Sequence, residues 1–164
     1  MAKKSRTVVF VCTGNFYRSR FCGYYFNALA ERRGLRWRAT SRGLRTSLAD
    51  GQGPISHYAL ERLAACGIHV GEDVRFPVQL AAADLKHADL IVAMKEAEHR
   101  PMMEEQFPQW ANRIQYWHID DLDCAPPDGT LSHCQFHVEE LVEQLAAMEP
   151  KSTRRQRQPL RKTP

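Results

Sequence analysis

Short strand-like segments and longer helix-like segments alternate along the chain. Four segments have the apolar runs or the alternation of strands: residues 7–12, 36–41, 88–94 and 113–119. Four others have apolar residues at helical spacing: 18–33, 54–66, 95–105 and 132–148. Gly34 and Gly67 stand where two of these helices are expected to end. The pattern predicts an α/β fold with a four-stranded, mainly parallel sheet flanked by helices on both faces.

The first predicted strand ends in a cysteine and leads into a short polar loop. The segment from Cys12 to Ser19 reads Cys-Thr-Gly-Asn-Phe-Tyr-Arg-Ser. Ligand sites in parallel sheets lie at the carboxyl ends of the strands, which is where Cys12 is predicted to lie. If the loop curls into the following helix, its backbone N–H groups point at an anion held by Arg18. The pattern therefore predicts a phosphate-binding loop after the first strand.

Each residue type in this loop suits an oxyanion site with a nucleophile. A cysteine at a helix N-terminus beside an arginine is favoured as the thiolate, the reactive form. Arg18 offers parallel donors to two phosphoryl oxygens and keeps its charge at any working pH. Gly14 and Asn15 tolerate the positive φ angle of a tightly folded loop. Ser19 can donate a hydrogen bond to the thiolate, so the loop predicts nucleophilic catalysis on a phosphoryl group.

The segment Cys-x-Gly-Asn-x-x-Arg-Ser, directly after an N-terminal strand, resembles the active-site loop of the low-molecular-weight protein tyrosine phosphatase family. The resemblance extends over roughly residues 6–148. It implies a phosphomonoester hydrolase that acts on a phosphotyrosine-containing protein or a small aryl phosphate through a phosphocysteine intermediate, without a cofactor or metal. It also implies that the phosphoryl group is bound by loop residues: Thr13, Gly14, Asn15, Phe16, Tyr17, Arg18 and Ser19.

Two further site residues follow from the same resemblance. Ser41 aligns with a family serine that hydrogen-bonds the loop asparagine, here Asn15. The family carries its general acid in an Asp-Pro pair after the last strand, and this position falls on Asp121. Because Leu122 stands where the proline is expected, the neighbouring carboxylates remain alternatives: Asp120 and Asp123.

The loop and its surroundings bear on the substrate. No aromatic residue follows Asp121 closely, so a wall of the substrate slot must come from elsewhere. The candidates are Phe16 and Tyr17, or the stretch 44–52, whose large apolar residues are Leu44 and Leu48. Related protein-arginine phosphatases resemble this loop but place a threonine at the position of Phe16, which disfavours phosphoarginine here. Tyr17 also replaces a second loop cysteine of many relatives, and Cys22 is expected to be a packed helix thiol rather than a substitute for it.

Two other functions are compatible with the loop. Arsenate reductases share the fold, but the thioredoxin-coupled members carry cysteines after the third strand, where residues 93–100 contain none. A phosphoprotein-binding module without catalysis would explain the missing Asp-Pro pair. A zinc site is a weaker alternative because the spacing of its candidate ligands matches no familiar module: His118, Cys124, His133, Cys134 and His137.

Composition adds a domain boundary and a compartment. The 164-residue chain has a net charge of +4, but residues 151–164 alone carry six basic and no acidic residues. We therefore expect a phosphatase domain over 1–149 and a basic disordered tail over 150–164 that offers contacts to nucleic acid or acidic surfaces. Five irregularly spaced cysteines, no signal peptide and no apolar run long enough to span a bilayer favour a cytoplasmic protein.

Overall fold

The computed structural model describes residues 4–150, so the expectation for the basic tail lies outside the described residues. Four strands are present: β1 (Arg6–Cys12), β2 (Trp37–Gly43), β3 (Leu90–Ala93) and β4 (Gln115–Tyr116). Five α-helices accompany them: α1 (Arg18–Arg33), α2 (His57–Ala65), α3 (Ala82–His87), α4 (Glu96–Gln106) and α5 (Pro127–Met148). A short 3-10 helix covers Thr46–Ala49.

The strands form one sheet in the order β2-β1-β3-β4, with every neighbouring pair parallel. Alternate residues of β1 enter two separate hydrophobic clusters. Val8 and Phe10 pack with α1, α2 and α5 on one face, whereas Val9 and Val11 pack with α3 and α4 on the other. Because both faces are covered, β1 is an almost continuous apolar run. The predicted α/β architecture is confirmed.

Several boundaries differ from the prediction, for local reasons. Helix α5 begins at residue 127 rather than 132, because Pro127 at the first helical position costs no hydrogen bond. Strand β4 is only two residues long, because only Val92 and Ala93 of β3 pair with it. Helix α3 was not predicted; the Asp84 carboxylate caps it by accepting the Ala81 N–H at 2.9 Å.

The edge strand β2 comes close to the loop that follows β1. Cys12 pairs with Gly43, and a Cβ atom on Gly43 would lie 2.8 Å from the Thr13 carbonyl oxygen and 2.9 Å from the Asn15 nitrogen. Only glycine permits this approach. Beyond Gly43, the N–H of Leu44 donates to the Cys12 carbonyl at 3.0 Å. The second strand therefore supports the loop directly.

The helices of the described part of the chain are too short or too polar to cross a bilayer. This finding covers residues 4–150 only.

Candidate active site

The loop between β1 and α1 turns its carbonyl groups outward. The carbonyl oxygen of Cys12 accepts from Leu44, that of Thr13 accepts from the Arg45 N–H at 2.8 Å, and that of Phe16 accepts from the Ser56 N–H at 2.9 Å. In a trans peptide the N–H points opposite to the carbonyl. The following N–H groups therefore face the inside of the loop, where they form a concave set of donors for an anion.

Asn15 organises the loop from a buried position. Its φ angle is +51°, a left-handed conformation that asparagine tolerates better than most residues. Its amide nitrogen donates to Ser19 Oγ at 2.9 Å and to Ser41 Oγ at 3.0 Å. Its Oδ1 accepts from Arg75 Nη1 and from the Val78 N–H, each at 3.0 Å. The structure thus brings Ser41 to Asn15, and it adds Arg75, which the sequence did not indicate.

We expect Asn15→Ala to lower the free energy of unfolding by about 3 kcal/mol, because polar groups on four residues, two of them buried, lose their hydrogen bonds to Asn15. Asn15→Gly is the matched variant, since it loses the same hydrogen bonds but tolerates the positive φ angle. It should be about 1 kcal/mol more stable than Asn15→Ala. Urea unfolding at neutral pH measures both differences. Equal stability of Asn15→Ala and wild type would contradict the structural role of this side chain.

The Cys12 thiol lies at the floor of the loop, 3% exposed, with its Sγ 2.9 Å from Ser19 Oγ. A thiolate can only accept, so the ionised form of Cys12 takes this hydrogen bond from Ser19, whose hydroxyl oxygen in turn accepts from Asn15. The single hydroxyl proton of Ser19 is therefore available to Cys12 Sγ. A hydrogen bond in this direction can hold the sulfur as nucleophile and later as leaving group.

Arg18 is the first residue of α1 and is almost fully buried. Its Nη1 donates to Glu98 Oε2 and to the Ile119 carbonyl oxygen, each at 3.0 Å. Its Nη2 donates to Glu98 Oε1 at 2.8 Å and to Asp121 Oδ2 at 3.1 Å. The two outer nitrogens thus hold the Glu98 carboxylate on one side and Asp121 on the other. Asp121 lies in the loop after β4, here called the acid-bearing loop for its carboxylates at positions 120, 121 and 123.

A chain of hydrogen bonds connects Glu98 with the loop. The N–H of Lys95 donates to His99 Nδ1 at 3.0 Å, and burial lowers the pKa of His99, which favours a neutral ring with its proton on Nε2. That nitrogen lies 3.0 Å from Thr13 Oγ1, whose own hydroxyl donates to Glu98 Oε1. Burial alone would raise the pKa of Glu98, but the hydrogen bonds from His99, Arg18 and Thr13 lower it below its usual range. Glu98 is therefore an ionised partner for Arg18.

We expect Glu98→Gln to lower the free energy of unfolding by about 2 kcal/mol at pH 7, because the variant leaves the buried Arg18 without its main carboxylate. The lowered pKa of Glu98 means that this contribution is present above pH ~4.3 and is lost as the pH falls through the folded-state pKa. Urea unfolding of both proteins across pH 3–7 should show the difference shrinking at the acidic end. A pH-independent difference would contradict the ion pair.

The loop after β4 presents three carboxylates in different surroundings. Asp121 faces the cleft, where its Oδ2 contacts Arg18 and its Oδ1 accepts the N–H of Leu122 at 2.9 Å. Asp120 instead pairs with Lys95 Nζ at 2.7 Å, and this hydrogen bond lowers the pKa of Asp120. Asp123 lines the outer part of the cleft. Of the three, Asp121 is the carboxylate that contacts the guanidinium of the loop.

A cleft of about 530 Å³ opens above Cys12 and Arg18. Its walls combine Phe16 and Tyr17 of the loop with apolar side chains from three other segments: Leu48, Ala49, Met102 and Leu122. Phe16 and Tyr17 both line it, as the sequence analysis expected. Burial raises the pKa of Tyr17 to about 12, so its hydroxyl stays neutral. Leu48, from the alternative stretch 44–52, lines the cleft as well, whereas Met102 had no signal in the sequence pattern.

The remaining thiols and imidazoles do not join this site. Cys22 is fully buried, with its Sγ 3.7 Å from Met94 Sδ, and burial raises its pKa. Cys134 lies in the core, whereas Cys124 is exposed. Within residues 4–150, no three His, Cys, Asp or Glu side chains are arranged to hold a metal ion. The zinc alternative therefore has no support in the described residues.

Two site residues were missed by sequence reasoning. Glu98 carried a usable signal, since it follows the predicted strand 88–94 closely and such strand ends carry ligand groups. Arg75 carried none, because it lies in an irregular segment between α2 and α3, where no periodicity relates it to Asn15. Its role depends on a hydrogen bond to Asn15, which lies 60 positions earlier in the sequence.

Comparison with known proteins agrees with this geometry. The family model "Low molecular weight phosphotyrosine protein phosphatase" matches residues 7–158. A protein-arginine-phosphatase from Bacillus subtilis (strain 168) is 31% identical over 157 residues, covering 90% of this chain and 99% of that protein. The structure of a low molecular weight protein tyrosine phosphatase from T. tengcongensis has 28% sequence identity and a TM-score of 0.72, covering 85% of this chain and 99% of that one.

The YfkJ structure from Bacillus subtilis matches with a TM-score of 0.76 at 21% identity, covering 92% of this chain and all of that one, and this match supports the fold alone. The family match spans β1, the loop, the acid-bearing segment and α5. The chain therefore belongs to the low molecular weight phosphotyrosine protein phosphatase family.

Proposed function

We propose that this protein hydrolyses phosphotyrosine, in proteins or as small aryl phosphates, through a phosphocysteine intermediate. The observation that carries the proposal is that Cys12, Arg18 and Asp121 line one cleft, with Arg18 contacting Asp121 and Ser19 bound to the Cys12 thiol. These positions supply a nucleophile, an anion-binding group and an acid within one site.

The first step forms a bond between Cys12 Sγ and phosphorus while the bond from phosphorus to the aryl oxygen breaks. The inward N–H groups of the loop and Arg18 stabilise the charge on the equatorial oxygens. Both outer nitrogens of Arg18 hold protein acceptors, so a phosphoryl group that binds Nε and one outer nitrogen together displaces one of these acceptors. Asp121 is the more exposed of the two carboxylates on Arg18, so we infer that it leaves Arg18, takes up a proton from solvent and passes this proton to the departing oxygen.

The second step releases phosphate. A water molecule attacks phosphorus from the side that the aryl group has left, and Asp121 accepts one of its protons. The sulfur–phosphorus bond breaks, and Cys12 returns to the thiolate with the hydrogen bond from Ser19. Positive charge comes from Arg18 and the backbone donors, so the residues present can carry both steps themselves.

The apolar walls of the cleft support an aryl substrate. Phe16 and Tyr17 offer aromatic surface, and Leu48, Met102 and Leu122 add aliphatic surface. The named activity of the Bacillus subtilis relative makes phosphoarginine the second candidate. A flat aryl ring matches these walls better than a charged guanidinium does, because the ring loses no hydrogen bonds to water when buried there.

The experiment compares three substrates with the full chain in the presence of a chelator: p-nitrophenyl phosphate, a phosphotyrosine peptide and a phosphoarginine peptide of the same sequence. We expect kcat/KM for phosphotyrosine to exceed that for phosphoarginine by at least ~10-fold, a modest pocket discrimination. The variant Phe16→Thr should reduce this ratio. A preference for phosphoarginine in the wild type would overturn the substrate assignment.

Other results would replace the proposed activity. Reduction of arsenate with a thiol reductant, without hydrolysis of any phosphate ester, would identify an arsenate reductase. Tight phosphopeptide binding without turnover would identify a binding module.

As part of the same proposal we place the protein in the cytoplasm, because a nucleophilic thiolate persists in reducing surroundings. The basic residues at 151–164 remain a predicted contact for nucleic acid or acidic surfaces.

A further inference from the structure

A second cavity lies outside the loop, between α1 and β2. It has a volume of about 110 Å³, and none of its lining residues lines the cleft above Cys12. Arg20, Tyr24 and Asn27 reach it from α1, Thr40 and Ser41 from β2, and Arg75 from the segment before α3. The lining contains two guanidinium groups and no carboxylate.

Arg20 is 1% exposed, yet its described partners are neutral. Its Nη1 donates to the Pro54 carbonyl oxygen at 2.8 Å, and its Nη2 lies 3.4 Å from the Tyr24 hydroxyl oxygen. Within residues 4–150, no carboxylate forms a salt bridge with Arg20. Only two of its five N–H groups are used in these contacts, so the side chain keeps donors for a further partner.

Arg75 has neutral partners as well. It donates to Asn15 Oδ1, to the carbonyl oxygen and hydroxyl of Ser41, and to the Phe76 carbonyl oxygen, at 3.0–3.1 Å. Burial, followed by repulsion from Arg20 and Arg42, lowers the pKa of Arg75 to about 10. Repulsion from two neighbouring cations thus acts in the same direction as burial, and no carboxylate forms a salt bridge with Arg75 within residues 4–150.

Arg42 is the third cation in this region, and it differs from the other two. Its Nε contacts Asp84 Oδ1 at 3.2 Å, so it has a carboxylate of its own. The uncompensated charge is therefore confined to Arg20 and Arg75, which face the same cavity. Buried charges are normally paired, because removing an ion from water is costly unless an opposite charge replaces the lost hydration.

We propose that this cavity is a second anion site, which binds a small tetrahedral oxyanion of the phosphate class between Arg20 and Arg75. Guanidinium groups match the oxygens of such an ion, and the hydroxyl groups of Tyr24 and Thr40 add neutral polar partners. The volume corresponds to a few water molecules at about 30 Å³ each, which suits a small ion. Arg75 would contact the bound ion while it also donates hydrogen bonds to Asn15 and Ser41, which support the loop after β1.

The test is a titration of the full chain with inorganic phosphate, followed by amide chemical shifts. Signals of Gly23, Tyr24 and Ala39 report on the cavity, whereas those of Thr13 and Gly14 report on the catalytic loop. We expect the cavity signals to give a dissociation constant of their own. One dissociation constant shared by both sets, and unchanged in the cavity variants, would overturn the proposal.

Thr40 provides the matched pair of variants, because it lines the cavity on the edge strand. The Thr40 hydroxyl oxygen accepts from Arg42 Nη1 at 2.9 Å, so Thr40→Asp places an internal carboxylate in the cavity lining, next to Arg42. This carboxylate should weaken phosphate binding at the cavity by at least ~10-fold, a loss comparable to one charge-assisted hydrogen bond. Thr40→Asn has nearly the same shape without the charge and should stay within about twofold of wild type. Equal effects of the two variants would contradict an electrostatic site.

Gly23→Ala tests the same cavity without a change of charge. Its methyl group would lie 3.8 Å from Ser41 Cβ, an ordinary contact, and alanine is favoured over glycine in a helix. The added methyl narrows the cavity and should weaken phosphate binding there, so unchanged binding would contradict the assigned location.

A parallel titration with O-phosphoserine distinguishes a free ion from a phosphorylated side chain as the ligand. Chemical shift changes of the cavity signals with phosphate alone identify a free oxyanion, and changes with both compounds identify a site that also accepts a phosphorylated side chain. Shifts with neither overturn the site.

Discussion

Replacing Cys12 with serine is expected to reduce kcat for aryl phosphate hydrolysis by at least about 10⁴-fold, since removal of a catalytic nucleophile leaves only the contribution of binding and charge stabilisation. Within residues 4–150, the hydrogen-bond partner of Cys12 Sγ is Ser19 Oγ, which is not a general base. A serine hydroxyl at position 12 would therefore have no base to accept its proton. The hydroxyl therefore stays protonated, whereas the thiol can ionise. Steady-state kinetics with p-nitrophenyl phosphate measures the loss.

Cys124→Ser is the matched control for this variant. Cys124 is an exposed thiol on the acid-bearing loop, 3.8 Å from Lys95 Nζ, and it does not line the cleft. Its replacement should leave kcat within about twofold of wild type, as expected for a surface change away from the reacting atoms. Cys12→Ser should still bind phosphate, because Arg18 and the loop donors are unchanged. Activity that survives Cys12→Ser would show that another group attacks phosphorus.

Asp121→Asn is expected to lower kcat/KM for a phosphotyrosine peptide by about 10²-fold or more, the usual contribution of a general acid. The amide keeps the shape of the side chain and can still accept from the Leu122 N–H, but it cannot deliver a proton. The loss should be smaller for p-nitrophenyl phosphate, because its leaving group is a weaker base than tyrosinate and needs less protonation. The quantity kcat/KM is the appropriate measure, since it reports the step in which the aryl oxygen departs.

Two further variants, Asp120→Asn and Asp123→Asn, test whether a neighbouring carboxylate acts as the general acid in place of Asp121. Asp120 is engaged by Lys95, and Asp123 lies at the outer part of the cleft, so each variant should retain most of the wild-type kcat/KM. Their losses should also be the same for the two leaving groups. A larger loss in Asp123→Asn, with the leaving-group dependence described above, would move the acid role from Asp121 to Asp123.

Local sequence predicted the central part of the fold because its signals are local. The apolar run of β1 and the helical spacing of α1 are complete within the segments themselves, and the helix ends at Gly34 as expected, with a φ angle of +65°. The extent of β4 was wrong, because strand length depends on the partner strand rather than on the strand's own residues. Helix α3 was missed because its six residues are too few for a periodic pattern.

The sequence alone determined the composition of the loop after β1 and predicted its chemistry, because Cys12, Arg18 and Ser19 lie within eight consecutive residues. Tertiary structure decided everything that depends on long-range contact. It brought Glu98 into hydrogen-bond contact with Arg18, from which it is separated by 80 positions in the sequence. It likewise brought Arg75 to Asn15, 60 positions away. It also decided which carboxylate of the acid-bearing loop contacts the guanidinium, because Lys95 holds Asp120 to one side. A linear pattern specifies the backbone period, whereas side chains from separate segments meet only when the sheet and its helices are assembled.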